Sequence, residues 1–159
     1  MTYDCDRITH HWGAIALGFA LNRLINADVK WFFQLRRPDW LTFEQIIPVV
    51  WTSIFICGII SATYVWHADP HGFRTWLLMA GYGILELAIL SYTPIMCKTR
   101  SLTVGTIIGA AGFVIGLILA IFVFPVSHLS FFLLVPFLLW SPFGTYITWE
   151  MMWLNPGKR

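Results

Sequence analysis

Long apolar runs broken by short polar stretches dominate this chain. Five runs stand out, at residues about 11–25, 45–66, 75–96, 102–124 and 130–154. A membrane span needs roughly 20 mostly apolar residues, and these five meet or approach that length. The first is the weakest, because Asn22 and Arg23 interrupt it. The connections "HADPHGF", "CKTRS" and "PVSH" are short, so the helices they join must be antiparallel. The longest connection, residues 26–44, interleaves Trp31, Phe32, Phe33 and Trp40 with Lys30, Arg36 and Arg37. That mixture predicts a structured segment lying in the membrane interface. The expected fold class is therefore all-α: an integral membrane bundle of five transmembrane helices, forming a single domain over residues 1–159.

Composition supports this reading. Of 159 residues, 58% are hydrophobic, 17% aromatic and only 11% charged, against about 25% charged in soluble domains. The mean hydropathy is +0.71. A net charge of +2 with no basic stripe speaks against a nucleic-acid partner; the expected surroundings are membrane lipid. The N-terminus is acidic and histidine-bearing ahead of a short apolar run, so it reads as mature chain rather than a signal peptide. Cys5, Cys57 and Cys97 fall in separate segments, which argues against a disulfide framework. The bases divide unevenly. Arg23, Lys30, Arg36, Arg37, Lys98, Arg100, Lys158 and Arg159 lie on one side, Arg7 and Arg74 on the other. The positive-inside rule then puts the N-terminus outside and the C-terminus in the cytoplasm.

Among nine tryptophans, Trp12, Trp31, Trp40, Trp66, Trp76, Trp149 and Trp153 fall near span ends, as an aromatic belt would. Trp51 and Trp140 lie inside spans, where lipid offers an indole N–H no partner. By helical spacing Trp51, Phe55, Gly58 and Ala62 share a face, and so do Pro136, Trp140, Phe143 and Ile147. Either these faces pack helix on helix, or they wall a pocket for a planar apolar ligand. Pro48, Pro94, Pro136 and Pro142 sit within spans, where each removes a backbone donor and tends to open room between helices. Glu86 is near the middle of the third span, and an intramembrane acid is by default a functional candidate; the bland alternative is a protonated acid bonded to a nearby hydroxyl. Glu150, nearer an end, reads as solvated. Gly105, Gly109, Gly112 and Gly116 form one face of the fourth span and allow close helix approach, within the bundle or across a homodimer. His10, His11, His67, His71 and His128 all fall on the expected outer side; they raise a rival haem or metal site, although their spacing matches no specific motif. Hydrolase, kinase and dehydrogenase motifs are absent, and no catalytic residue is assigned.

Several stretches together resemble the TspO/MBR family of tryptophan-rich sensory and translocator proteins. "RRPDWLTF" keeps Arg37, Pro38 and Trp40 of the family's first-loop motif, with Thr42 and Phe43 in place of its proline pair. "PVVW" supplies Pro48 and Trp51, and "YVW" ends the second span at Trp66. "LLVPFLLWSPF" supplies Leu133, Leu134, Pro136, Phe137, Leu138, Trp140 and Phe143, and the family's closing W-x-L-N motif is shortened to "WLN", Trp153 to Asn155. In the third span Ile89 or Leu90, depending on register, replaces the family's asparagine, and Tyr92 stands in for its tryptophan. The sterol motif needs a tyrosine close to a following base, and Tyr146 is too far from Lys158. The resemblance implies a five-helix bundle, often a homodimer, whose pocket opens toward the first loop and receives porphyrins. It implies that Trp51 and Trp140 line the pocket, that Trp40 belongs to its lid, and that Phe137 and Phe143 flank it. Phe55, Glu86 and Tyr92 complete the expected set. No cofactor is obligatory; protoporphyrin IX or haem is the expected ligand, for stress sensing, transport or disposal. Porphyrin degradation leaves enzyme status open. The alternatives are a haem- or metal-binding protein using the outer histidines, and a non-binding assembly subunit.

Overall fold

The computed structural model describes residues 29–158 with the exception of His71. The expected span at 11–25 lies outside the described residues, as do His10, His11 and His71. Helix α1 is Val29–Phe33, and a 3-10 turn at Glu44–Ile46 leads into α2, Ile47–Ala68. Then follow α3, Phe73–Thr99; α4, Leu102–Val123; α5, His128–Leu154; and a closing 3-10 turn, Pro156–Lys158. Helices α2 to α5 are long and apolar enough to cross a membrane. Even the 22-residue α2 reaches about 33 Å at 1.5 Å per residue, against a hydrocarbon core of about 30 Å. Among the described residues there is no strand. The protein is an all-helical multipass membrane protein.

Local chemistry fixes the helix ends. Arg100 adopts a left-handed conformation (φ 50°, ψ 37°) after α3. The amides of Arg100 and Ser101 then bond back to the carbonyls of Cys97 and Met96 at 3.3 Å, which satisfies acceptors the helix end leaves open. Ser101 at once caps α4, its Oγ accepting from the Val104 amide at 3.3 Å. Ser127 caps α5 in the same way through the Ser130 amide at 3.2 Å. Pro48 differs from expectation. It lies in the first turn of α2, where the missing amide would have no helical partner anyway, so it opens nothing. Pro94, Pro136 and Pro142 are inside helices.

Helix α4 packs against both α3 and α5, and α5 packs in turn against α2. The glycine face of α4 is used inside the chain. A Cβ on Gly105 would strike Met96 of α3 and approach Thr148 of α5, one on Gly109 would meet Thr145, and one on Gly116 would enter the Phe137 ring. Close approach of α4 and α5 is what these absent side chains permit. Two apolar clusters result. One gathers Ile54, Val65, Leu85, Leu119, Leu134 and Phe137. The other, at the first-loop end, gathers Trp31, Leu35, Met96, Leu102, Ile147 and Met151. The first loop is thus folded onto the bundle.

Gly112 shares the seam, yet a Cβ there meets nothing within 4 Å. Gly112→Ala is therefore expected to leave thermal stability in detergent unchanged or raised, by up to about 1 kcal/mol from reduced backbone freedom. Gly116→Ala is expected to lower it by about 1–3 kcal/mol through overpacking. Equal effects at the two positions would contradict the seam.

Candidate ligand-binding site

Three hydroxyls set the site's register. Ser61 of α2 donates to the Ser130 carbonyl of α5 at 2.7 Å, and Ser130 donates to the Ser61 carbonyl at 3.1 Å. Ser61 has spent its one proton, so the Tyr82 hydroxyl of α3, 2.5 Å away, is the donor to Ser61 Oγ. Both serines are fully buried. Ten residues separate Ser61 from Trp51, and ten separate Ser130 from Trp140. Because α2 and α5 run antiparallel, the two tryptophans sit at one level, about 15 Å along the helices from the serines.

Between serines and tryptophans the three helices leave a cavity of about 150 Å³. Phe55, Gly58 and Ala62 of α2 form one wall. Tyr82 and Glu86 of α3 form another, and Leu133 and Phe137 of α5 a third. Of the expected ligand residues, Phe55, Glu86 and Phe137 line this cavity. Glu86, an exposed residue, has no polar partner among the described residues and is the one acid in the cavity lining. Trp51 and Trp140 lie about one turn nearer the first loop and pack, half-buried, against the same apolar cluster. The Trp51 ring is 6.1 Å from Phe55 between centroids.

Aromatic rings continue from there to the loop. Phe143 is 5.4 Å from Trp140, 5.9 Å from Trp40 and 5.9 Å from Phe43. Trp40 stacks on Tyr146 at 6.2 Å. Aromatic pairs at 4.5–7 Å are mutually attractive, so this is a continuous chain of faces from the loop to the level of Trp140. Tyr92 does not join the cavity. Its hydroxyl is hydrogen-bonded to Thr148 and its ring packs on the second cluster, so it ties α3 to α5. Pro136, expected on the Trp140 face, is exposed.

The loop is strapped to the end of α5. The Trp40 indole donates to both oxygens of Glu150, at 2.9 and 3.0 Å. Glu150 is therefore a partner of the loop, not the merely solvated acid its position suggested. Asn155 accepts from the Arg36 amide at 3.0 Å and donates to the Arg36 carbonyl at 2.9 Å. A side-chain amide has both groups needed for that two-way bond. Arg37 pairs with Glu44 and lies over the Phe32 ring at 5.5 Å. Glu150 and Asn155 lie outside the expected ligand set; the "WLN" motif is the one hint of Asn155 in the sequence.

Membrane helices, a run of aromatic rings from a folded loop, and one acid in the lining of an apolar cavity define a class: a multipass helical membrane protein with a cavity between its spans. The family follows from comparison. A family model, TspO/MBR family, matches residues 12–154, and the chain belongs to that family. It is similar to the tryptophan-rich protein TspO of Bacillus cereus, with 26% identity over 135 residues, 83% of this chain and 85% of that protein. Membrane protein YtaB of Bacillus subtilis is 24% identical over 142 residues, covering 88% and 90%. Protein CrtK of Rhodobacter capsulatus is 22% identical over 129 residues, covering 81% of each.

Removing the strap should expose the loop. Asn155→Ala is expected to speed hydrogen exchange of the Arg36 amide about 5- to 10-fold, the size of one hydrogen bond. Glu150→Ala should do the same for the segment around Trp40. Unchanged exchange in both variants would show that the loop is held by other contacts.

Proposed function

We propose that this protein binds tetrapyrroles such as protoporphyrin IX or haem, for sensing, transport or disposal of these pigments. The observation that carries the reading is the chain of aromatic faces from Trp40 through Phe143 to Trp140, ending beside a cavity walled by Phe55, Glu86 and Phe137. Flat rings offer offset-stacking surfaces to a flat macrocycle, and apolar burial adds roughly 25 cal/mol per Å². Glu86 supplies one acceptor, which suits a ligand with N–H donors in an apolar frame.

At about 150 Å³ the cavity is smaller than the roughly 300–1,000 Å³ of ordinary ligand sites. Entry of a macrocycle therefore requires side chains to part. Trp40 has the least to lose, since it is exposed and its bond to Glu150 lies at the water-facing rim. Opening at Trp40 leads directly onto Phe143 and Trp140. The N-terminus would face outside, and a homodimer would need a face other than the glycine seam, which α5 occupies.

Of the five histidines of the rival site, His67 and His128 fall among the described residues. Among the described residues no group of three or more His, Cys, Asp or Glu side chains comes together, and His128 is packed edge-on against Phe124 at 4.7 Å.

Titrating the purified protein with protoporphyrin IX tests the reading through tryptophan fluorescence. Saturable quenching is expected, weakened about tenfold by Trp140→Phe or Trp51→Phe and unchanged by His67→Ala. Quenching without saturation, or lost in His67→Ala alone, would reject it.

A further inference from the structure

A second cavity lies between α3 and α4. It holds about 370 Å³. Its walls include Leu77 and Ile84 from α3 and Ile118 and Phe122 from α4, and its one charged residue is Arg74. Gly81 forms part of the floor, and a Cβ there would come within 3.0 Å of Leu119. The hollow thus exists partly because a side chain is missing.

We propose that this groove holds one anionic phospholipid, with an acyl chain along its floor and the phosphate on Arg74. Three observations favour that occupant. The first is depth. From Arg74 to Ile84 is ten residues, about 15 Å of helix, and half of a hydrocarbon core of about 30 Å is the depth of one leaflet. The second is level. Arg74 is in the first turn of α3, beside the highly exposed rings of Phe73 and Trp76, residue types that mark the headgroup zone. The third is chemistry. Among the described residues Arg74 makes one hydrogen bond, donated to the Phe122 carbonyl at a long 3.4 Å. A guanidinium carries five N–H donors in a fork suited to phosphate oxygens, so most of that capacity remains for a headgroup.

A second copy of the chain fits the groove less well. A two-fold axis along the membrane normal would bring both Arg74 guanidinium groups to one level at a shared interface, where like charges repel. A neutral lipid would fill the floor equally well but leave the cation with no net negative headgroup. The site is independent of the tetrapyrrole reading, being formed by a different pair of helix faces.

Native mass spectrometry of the full chain in mild detergent tests this, with dioleoyl phosphatidylglycerol and dioleoyl phosphatidylcholine added separately. One phosphatidylglycerol is expected to remain bound at about tenfold lower lipid concentration than phosphatidylcholine, the size of one charge-assisted hydrogen bond. Arg74→Gln should abolish that preference and Arg74→Lys keep part of it. Lys98→Gln, at the opposite membrane face, should leave it intact. Gly81→Leu, where it folds, should reduce retention of both lipids. Equal retention of the two lipids by the parent protein, or a preference surviving Arg74→Gln, would overturn the proposal. So would a dimer that sheds all lipid, which would assign the groove to a second copy.

Discussion

A hydroxyl inside hydrocarbon has no water to fall back on, and an unmade hydrogen bond there costs several kcal/mol. Ser61 and Ser130 meet that constraint by bonding to each other's carbonyls, with Tyr82 donating into the same point. Sliding α2 along α5 by one residue would break the exchange, so the register is set at a single level of the bundle. Everything nearer the first loop inherits it: Ile54 stands level with Phe137, and Trp51 with Trp140. Helices α2 and α3 make little contact otherwise. The cavity with Phe55 and Glu86 lies between them, with Tyr82 itself in its lining.

The glycine seam makes the complementary contribution. Without side chains at Gly109 and Gly116, α4 comes close enough to α5 for Thr145 and Phe137 to rest on its backbone. Phe137 is thereby both a wall of the cavity and the filling of the seam. Its ring is held on one face by backbone that does not yield, so the freedom to move falls to the partly buried aromatic rings on the loop side. The same helix α4 presents its other flank to α3, where Gly81 leaves the lipid-facing groove.

Stability is uneven along the membrane normal. At the serine level the contacts are dry and mutual. At the loop end they are hydrogen bonds to Glu150 and Asn155 at the exposed rim, where water competes and each contributes about 1 kcal/mol. Local opening is least costly at that end, and Trp40 is the residue standing there.

The sequence by itself determined the helices. Apolar runs of sufficient length have no alternative in lipid but to close their own backbone bonds, so the four described spans were legible, as was the family, through "RRPDWLTF", "PVVW" and "LLVPFLLWSPF". The candidate residues on one helix face were legible too, because 3.6-residue spacing is a local property: Phe55 and Trp51, or Phe137 and Trp140. What decided the site was contact between helices, which spacing cannot encode. Tyr92 lies on a promising helix but is taken by Thr148. Glu150 looks solvated until the loop folds back and Trp40 finds it. Pro48 looks disruptive until the helix is seen to start beside it. The glycines fit a dimer or a bundle equally well on paper, and only the position of α5 gives them to the bundle. Periodicity fixes which residues share a face; the partner of that face is fixed by packing among segments distant in the chain.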